Sequence, residues 1–309
     1  MNRVAIIDMG TNTFHLLVAE KKAQQFNILF QDRIATKIGA GGINGGFITA
    51  EGQERALHAL IIFKNKATEL GVQKIIAFGT SALRNANNGQ EIINSIHTKT
   101  GIEAKIISGD EEAAFIYKGV RQAVKLGDQK SLIVDIGGGS VEFIIANDSE
   151  IFWKRSFEVG GQRLVEKFHK NDPIIPEEVT SLTQFLEEAL DPLFVELKKH
   201  DLKTLVGSSG SFDTLSEIYC LRNNIEYDNE PETPLTIKAF EEIFQELLTK
   251  NRAARMQIHG MIEMRVDMIV AACCLIQLLL RRYPFESIRV STYSLKEGVL
   301  AELSELTTL

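Results

Sequence analysis

The chain has 309 residues, 44% of them hydrophobic and 24% charged, which is ordinary for a globular protein of two domains. A net charge of −7 with no basic stripe argues against a general nucleic-acid binder. The cysteines Cys220, Cys273 and Cys274 have no metal-site spacing and predict buried, reduced thiols in a cytoplasmic protein. The most apolar run, residues 268–280, is shorter than the roughly 20 residues of a membrane span, so we expect a core helix and no membrane insertion.

The first 125 residues combine a strand meander with alternating helices and strands. Short apolar runs bounded by polar or glycine-bearing turns predict three successive strands at residues 4–7, 14–19 and 26–33. The glycine-rich loop that follows, residues 38–47, does not have dinucleotide-binding spacing because Asn44 replaces its third glycine. Apolar periodicity then predicts helices at residues 51–70, 91–99 and 110–124, and strands at residues 74–78 and 104–107.

The second half begins with another meander and is richer in helices. The same signals predict strands at residues 131–134, 141–146, 150–157, 203–206 and 287–291. They predict helices at residues 161–168, 177–199, 237–249, 251–259, 263–282 and 295–306, with one more opened by GSSGSFDTL.

The segment IIDMGTNTFHLLV recurs about 127 residues later as IVDIGGGSVEFII. Each copy is a strand, an aspartate, an apolar residue, a glycine, three small residues and a second strand. A repeat at this distance predicts a duplicated domain rather than a solenoid. We therefore predict domains at residues 1–125 and 126–309, with a C-terminal helix of about residues 295–309 packing back on the first domain.

The repeated segment places a carboxylate beside backbone N–H groups at a sheet edge. Glycines let a ligand approach the backbone closely, and consecutive loop N–H groups form anion-binding concavities. An aspartate would repel phosphate unless a hard cation such as Mg²⁺ stood between them. Two such loops facing each other across a cleft therefore predict a phosphate clamp, whereas a single copy would be read as an ordinary turn.

Two other segments predict phosphate contacts. LVGSSGSFDTL puts a turn of small residues at a helix N-terminus, which attracts anions, although a serine-capped turn is the alternative. In FGTSALRNA, Arg84 lies one turn into a helix, either as a bidentate phosphate ligand or as a solvated helix arginine.

IISGDEEAAFIYKGV places Asp110, Glu111 and Glu112 at the start of a helix. The helix dipole favours carboxylates there, so capping is one interpretation. The other is a general base that orients water on a terminal phosphate. The chain contains no P-loop, HExxH or GxSxG motif to support a competing chemistry.

Six motifs occur in order between about residue 3 and residue 301: DMGTNTFHLLV, GTSALRNA, ISGDEEAAFIYKGV, VDIGGGSVEF, VGSSGS and VSTYSLKEGVL. Together they resemble the exopolyphosphatase / guanosine pentaphosphate phosphatase (Ppx/GppA) family. The resemblance implies an α/β fold of two ribonuclease H-like domains of the actin, Hsp70, sugar kinase and acetate kinase superfamily, with an active-site cleft between the domains.

The resemblance also implies residue roles. Glu111 would be the catalytic base and Arg84 a phosphate ligand, while Asp8, Asp135 and Glu142 would surround Mg²⁺, with Mn²⁺ as the alternative. Substrate phosphates would contact Gly10, Thr11, Asn12, Thr13, Ser81, Gly137, Gly138, Gly139, Ser140, Gly207, Ser208, Ser209 and Gly210. Arg265 and Asp267 match the family's RxDxI segment. Lys37, Ala40 and Ala272 depart from the family pattern, at positions that bear on substrate length or nucleotide preference.

We therefore expect a phosphoric anhydride hydrolase that releases the terminal phosphate of inorganic polyphosphate, with water oriented by Glu111. The alternative is a guanosine pentaphosphate (pppGpp) 5′-phosphohydrolase, or an enzyme with both activities. A small-molecule kinase of the same superfamily and a catalytically silent polyphosphate or alarmone sensor are the rival classes. The apolar C-terminal helices favour a homodimer, and neither nucleic acid nor membrane is expected as a partner.

Overall fold

The computed structural model describes residues 2–22, 25–226 and 230–306. They form two compact α/β units, one within Met1–Gly119 and Leu295–Leu309, the other within Val120–Ser294. The boundary between Gly119 and Val120 lies a few residues before the expected domain boundary at residue 125. Residues 307–309, the end of the expected C-terminal helix, lie outside the described residues.

The first unit is built on a five-stranded mixed sheet. Its strands are β1 (Arg3–Met9), β2 (Thr13–Lys22), β3 (Gln25–Ala35), β4 (Lys74–Gly79) and β5 (Ala104–Ile106). Their order in the sheet is β3-β2-β1-β4-β5, with β1, β2 and β3 antiparallel and β4 and β5 parallel to β1. All five strands were predicted, and the carboxyl ends of β1, β4 and β5 lie side by side at one sheet edge.

Helices cover this sheet and begin at that edge. They are α1 (Ala50–Glu69), α2 (Ser81–Asn85), α3 (Gly89–Thr100) and α4 (Gly109–Ala123). The predicted apolar face of α1, which includes Leu60 and Phe63, is buried in the core of the unit. The Thr49 hydroxyl caps α1 by accepting the Gly52 N–H at 3.1 Å.

The second unit has a six-stranded sheet. Its strands are β6 (Ser131–Ile136), β7 (Val141–Ala146), β8 (Ile151–Phe157), β9 (Thr204–Ser208), β10 (Glu232–Leu235) and β11 (Ser287–Ser291). Their order is β10-β11-β9-β6-β7-β8, with an antiparallel β6–β8 meander and with β9 and β11 parallel to β6 and to each other. Strand β10 was not predicted; it is short, contains Pro234 and lies at the sheet edge, where proline is tolerated.

The remaining helices are α5 (Gly161–Phe168), α6 (Pro176–Ala189), α7 (Asp191–Leu197), α8 (Gly210–Arg222), α9 (Ile237–Thr249), α10 (Arg252–Met256), α11 (Ile269–Arg282) and α12 (Leu295–Leu306). Two long predicted helices are wrong in extent. The one at 177–199 breaks at Leu190, because Pro192 follows at the start of α7 and cannot continue the ladder. The one at 263–282 begins only at Ile269, because a turn takes up residues 263–268.

Both sheets run from an antiparallel meander into parallel strands in the same order, so the duplication seen in the sequence is a duplication of topology. The predicted fold class, two ribonuclease H-like α/β units, is confirmed. The apolar run at 268–280 is a core helix as predicted, and its Cys273 and Cys274 are buried. Among the described residues, no helix combines the length and apolar character needed to cross a membrane.

Candidate active site

The loop between β1 and β2 is a tight turn with buried hydroxyls. A Cβ on Gly10 would lie 2.8 Å from the Thr13 carbonyl oxygen, so the turn requires glycine. The loop is tied down where the Thr36 N–H donates to the Asn12 carbonyl at 3.0 Å. The Thr11 and Thr13 hydroxyls are buried and have no hydrogen-bond partner within the described ranges. Buried hydroxyls are normally paired, so these two suit acceptor atoms on a ligand, such as phosphate oxygens.

The loop between β6 and β7 repeats this geometry. A Cβ on Gly137 would lie 3.0 Å from the Ser140 carbonyl oxygen, which also accepts the Gly137 N–H at 3.1 Å. Ser140 is buried, like the corresponding Thr13 of the first loop. The two copies of the repeated segment therefore share their backbone turn as well as their sequence pattern.

The start of α5 holds the second loop in place. The N–H groups of Gly161 and Gln162 donate to the carbonyls of Gly137 and Gly138 at 2.9 and 2.8 Å. The Arg163 Nε donates to the Gly139 carbonyl at 2.8 Å. Because α5 engages the carbonyl side of the loop, the amide side is the one suited to an anion.

Asp135 and Glu142 lie directly opposite each other on β6 and β7, so their side chains are on the same sheet face. Both residues are at least 95% buried. Asp135 accepts hydrogen bonds from the Ser209 hydroxyl, at 2.7 and 2.8 Å to its two oxygens, and from the Ser294 hydroxyl at 2.5 Å. Glu142 accepts the Ser156 hydroxyl at 2.6 Å.

This carboxylate pair fits a hard divalent cation. Opposed like charges on paired strands are destabilising, and carboxylate oxygens are the ligands that Mg²⁺ takes in proteins. No group of three or more His, Cys, Asp or Glu that could hold a metal occurs in the described part of the chain. Mg²⁺ usually keeps several waters and binds one or two carboxylates, so a pair is sufficient for it. Asp8, the third expected ligand, is near the carboxyl end of β1 in the first unit.

The third loop joins β9 to α8 and has both packing and polar roles. Gly207 leaves room for the Phe212 ring, whose nearest carbon would be 2.1 Å from an added Cβ. The Ser208 hydroxyl donates to the Tyr293 carbonyl at 3.2 Å. Gly210 lies against the Arg265 guanidinium, whose atoms would be 2.2 to 2.4 Å from a Cβ. The structure thus brings Arg265 to the first turn of α8, a position that the RxDxI match did not specify.

Arg84 forms a largely buried ion pair with Glu112. The Arg84 Nη1 lies 2.7 Å from the Glu112 Oε2 and also donates to the Ile107 carbonyl at 3.2 Å. The two side chains are 16% and 10% exposed, so Arg84 is not a solvated surface arginine. Ser81 is buried at the first position of α2 and accepts the Asn85 Nδ2 at 3.4 Å.

Glu111 adopts the capping geometry instead. Its Oε2 accepts the Ser108 N–H at 2.8 Å and the Ser108 hydroxyl at 2.9 Å, while the Ser108 hydroxyl accepts the Glu111 N–H at 3.2 Å. Its Oε1 lies 2.6 Å from the Lys105 Nζ. The hydrogen bond from Lys105, with those from Ser108, lowers the pKa of Glu111 from 4.5 to about 2.

These contacts differ from the expected role of Glu111 as the base. A carboxylate whose pKa is about 2 binds protons weakly and is a poor match for general base catalysis near neutral pH. Of the two adjacent glutamates, Glu112 is the buried one and the one beside Arg84. The sequence from Ser108 to Glu111 contains a capping box, S-x-x-E. That signal could have identified Glu111 as the capping glutamate and left Glu112 as the candidate base.

Comparison with known proteins places the chain in a family. The model of the Ppx/GppA phosphatase family matches residues 17–306. The crystal structure of an exopolyphosphatase from Cytophaga hutchinsonii is 42% identical over 98% of both chains, with a TM-score of 0.95. The Aquifex aeolicus member of the Ppx/GppA family is 25% identical over 100% of this chain and 99% of its own, with a TM-score of 0.81. The chain therefore belongs to the Ppx/GppA phosphatase family, whose members hydrolyse phosphoanhydride bonds.

Proposed function

We propose that this protein is an exopolyphosphatase that hydrolyses the terminal phosphate of inorganic polyphosphate and depends on Mg²⁺, with Mn²⁺ as an alternative ion. The observation that carries the proposal is the 42% identity, over 98% of both chains, to a protein described as an exopolyphosphatase. The buried carboxylates, the Arg84–Glu112 pair and the two glycine turns supply donor and acceptor groups for phosphate, metal and water.

Phosphate binding is assigned to loop donors. Thr11 and Thr13 offer buried hydroxyls in the first unit. Gly138 and Gly139 offer amide groups in the second unit, where α5 holds the loop from its carbonyl side. Arg265 adds a guanidinium at the start of α8. Fixed donors of this kind stabilise charge on a transferring phosphoryl group without having to reorganise.

Asp8, Asp135 and Glu142 are the residues that would hold Mg²⁺. When bound, the ion would neutralise charge that develops on phosphate oxygens. The protein's own contribution is to orient the carboxylates, which hydroxyl donors do for Asp135 and Glu142.

We assign the orientation of the attacking water to Glu112. Glu112 is the buried glutamate of the two, and its ion pair with Arg84 holds its side chain in place, whereas both oxygens of Glu111 are engaged by Ser108 and Lys105. Arg84, which is permanently charged, would itself meet a phosphate oxygen. Glu111 would instead cap α4, the helix that carries both glutamates.

A matched pair of isosteric variants tests this assignment. Glu112→Gln should lower kcat for phosphate release by about 10² to 10⁴, the usual contribution of a general base. Glu111→Gln, one residue away, should keep kcat within a few-fold of wild type. Thermal unfolding of both variants separates a loss of chemistry from a loss of folding, since Glu112→Gln also breaks a buried ion pair. Full activity in Glu112→Gln together with inactive, folded Glu111→Gln would return the role to Glu111.

The family name itself supports a second candidate, hydrolysis of the 5′-phosphate of pppGpp. Phosphate release from long polyphosphate, short polyphosphate and pppGpp, measured side by side as kcat/KM, decides between the two. A preference for pppGpp of tenfold or more would replace the exopolyphosphatase proposal, and comparable values on all three would make the enzyme bifunctional. Transfer of phosphate from ATP to an acceptor, or tight binding without turnover, would favour the kinase or sensor classes.

A further inference from the structure

Ser209 has a backbone conformation that serine rarely adopts. Its φ of 71° and ψ of 169° lie in a region used almost only by glycine, where a side chain is strained. The same loop has glycines at positions 207 and 210, yet position 209, where the backbone is strained, is a serine. Backbone strain of this kind persists only where the surrounding structure holds the residue in that conformation, and it clusters at functional sites.

The side chain that accompanies this strain binds a carboxylate. The Ser209 Oγ lies 2.7 and 2.8 Å from the two oxygens of Asp135, so one hydroxyl spans the carboxylate. The contact joins residues 74 positions apart in the chain. It is therefore a tertiary contact, and it differs from the direct phosphate contact that the family resemblance implied for Ser209.

A second hydroxyl reaches the same group from another segment. The Ser294 Oγ donates to Asp135 Oδ2 at 2.5 Å, across 159 positions of sequence. Ser294 immediately precedes α12, and the strand before it, β11, is the neighbour of β9. Asp135 thus accepts hydrogen bonds from two hydroxyls of the second unit, one in the turn between β9 and α8 and one in the segment between β11 and α12.

We propose that Ser209 and Ser294 are positioning residues that hold the Asp135 carboxylate in one orientation for a divalent cation. Each hydroxyl donates, so the carboxylate remains an acceptor and keeps lone pairs for metal or metal-bound water. Groups that orient a metal ligand in this way typically contribute 10- to 100-fold to metal affinity. The inference rests on the proposed function through the assignment of Asp135 to the metal.

Two other roles make different predictions. If the serines only fasten the β9–α8 turn and the segment before α12, their loss lowers the melting temperature and leaves metal affinity unchanged. If Ser209 contacts substrate, its loss raises KM for polyphosphate at saturating metal. A positioning role instead raises the metal concentration needed for half-maximal rate, with KM for substrate unchanged once metal saturates.

The experiment uses the full chain and Mn²⁺ as the probe. Free and bound Mn²⁺ are distinguished by electron paramagnetic resonance in the absence of substrate, and Mg²⁺ titrations of phosphate release accompany them. Ser209→Ala, Ser209→Gly and Ser294→Ala should each weaken Mn²⁺ binding about tenfold or more, whereas Ser294→Thr, which keeps a hydroxyl, should stay within threefold of wild type. Ser209→Gly should melt at a higher temperature than Ser209→Ala, because glycine adopts the positive φ without strain.

Ser216→Ala is the matched control. Ser216 is a fully buried serine of α8 whose hydroxyl donates to the Pro234 carbonyl at 2.7 Å and to the Thr233 hydroxyl, so its loss should not change Mn²⁺ affinity.

Asp135→Asn tests the metal role of Asp135 separately from the positioning role of the two serines. Weak Mn²⁺ binding in Asp135→Asn with wild-type binding in the serine variants would overturn this inference alone. Wild-type binding in Asp135→Asn would overturn the metal role given to Asp135 in the proposed function, and this inference with it.

Discussion

Gly160 is where the second glycine loop meets α5, and an alanine there should disrupt both. A Cβ on Gly160 would lie 2.4 Å from the Gly139 carbonyl carbon and 2.5 Å from the Gly138 carbonyl carbon and oxygen. Ordinary contact begins at 3.4 Å, so the overlap is about 1 Å against three backbone atoms. No side-chain rotation relieves it, because no side chain is involved. The backbone of Gly160 itself is compatible with alanine, with φ of −66° and ψ of 160°.

The expected cost follows from overpacking and from strained hydrogen bonds. Overpacking of a close contact costs about 1–3 kcal/mol. Moving the loop away would weaken the hydrogen bonds from Gly160 to the Gly139 carbonyl and from Gly161 to the Gly137 carbonyl, 3.1 and 2.9 Å long and each contributing about 1 kcal/mol. We therefore expect Gly160→Ala to lower the free energy of unfolding by about 2–4 kcal/mol. For a unit of this size that is a fall in melting temperature of about 5–15 °C.

Gly161→Ala provides a control one residue away. The nearest atoms to its Cβ would be those of the Met268 side chain, at 3.3 to 3.6 Å, and methionine adjusts readily. Replacing glycine also reduces the entropy of the unfolded chain, which favours the variant by about 0.4–1 kcal/mol. Calorimetry and phosphate release should find Gly161→Ala within about 1 kcal/mol of wild type and active, and Gly160→Ala destabilised and impaired. Equal stability of the two variants would refute the claim that this contact needs glycine.

Three other changes test the packing and charge arrangements of the chain. Gly298→Ala should lower the free energy of unfolding by about 3 kcal/mol in urea titrations, because its Cβ would lie 1.7 Å from the Phe115 carbonyl oxygen where α12 crosses α4; a neutral result would contradict that close crossing. The native thiols should not react with Ellman's reagent at pH 8, because Cys220 is buried and burial raises the pKa of Cys273 well above its usual value and that of Cys274 to about 12; urea should expose three reactive groups. Glu111→Gln should cost about 0.3–1 kcal/mol at pH 7, the usual contribution of a carboxylate in the first turn of a helix. Since the pKa of Glu111 is lowered to about 2 from 4.5, its contribution is fully present above pH 4.5 and lost as the pH falls toward 2, so the gap in unfolding free energy between wild type and Glu111→Gln should close over that range. A gap that is constant with pH would mean that ionised Glu111 does not stabilise α4.

The elements that were predictable from the sequence are those fixed by local signals. Strands β1 and β6 end where an apolar run meets an aspartate. A glycine must follow, because in any other residue the Cβ would lie within 3.0 Å of a carbonyl oxygen of the turn. Both features are visible in a dozen residues. Their repetition identified the duplicated topology before any long-range contact was known.

The different contacts of Glu111 and Glu112 were not predictable from their positions in the sequence alone. Adjacent residues on a helix point about 100° apart, so one side chain turns back to Ser108 and the other reaches Arg84. Arg84 lies on α2, and only the parallel pairing of β4 with β5 brings the start of α4 beside it. A family motif of two consecutive glutamates therefore needs tertiary structure to say which of them is capping the helix.

The turn at residues 263–268 shows how a buried charge overrides helix propensity. Arg255 is 2% exposed, with Nε 3.2 Å from the Val266 carbonyl and Nη1 3.0 Å from Asp172. A buried guanidinium must fill its donors, and it takes a carbonyl that a helix would otherwise use. In the resulting turn, the Arg265 guanidinium lies against Gly210. A continuous helix from residue 263 would not require that contact. Periodicity predicted the helix correctly only beyond that contact.

The two glycine loops have the same turn and different chemistry. In the first, threonine hydroxyls are buried within a turn tied to the strand end at Thr36. In the second, glycines stand in place of Thr11 and Asn12, and the two carboxylates on the flanking strands, Asp135 and Glu142, accept hydrogen bonds from Ser209, Ser294 and Ser156. Buried charge contributes little to stability on its own and is expensive to leave uncompensated. The proposed roles account for that expense: hydroxyls and amides donate to phosphate, whereas oriented carboxylates accept a cation. The two copies keep the aspartate and the first glycine and differ at the three positions that follow, so the donors proposed for phosphate are threonine hydroxyls in the first loop and backbone amides in the second.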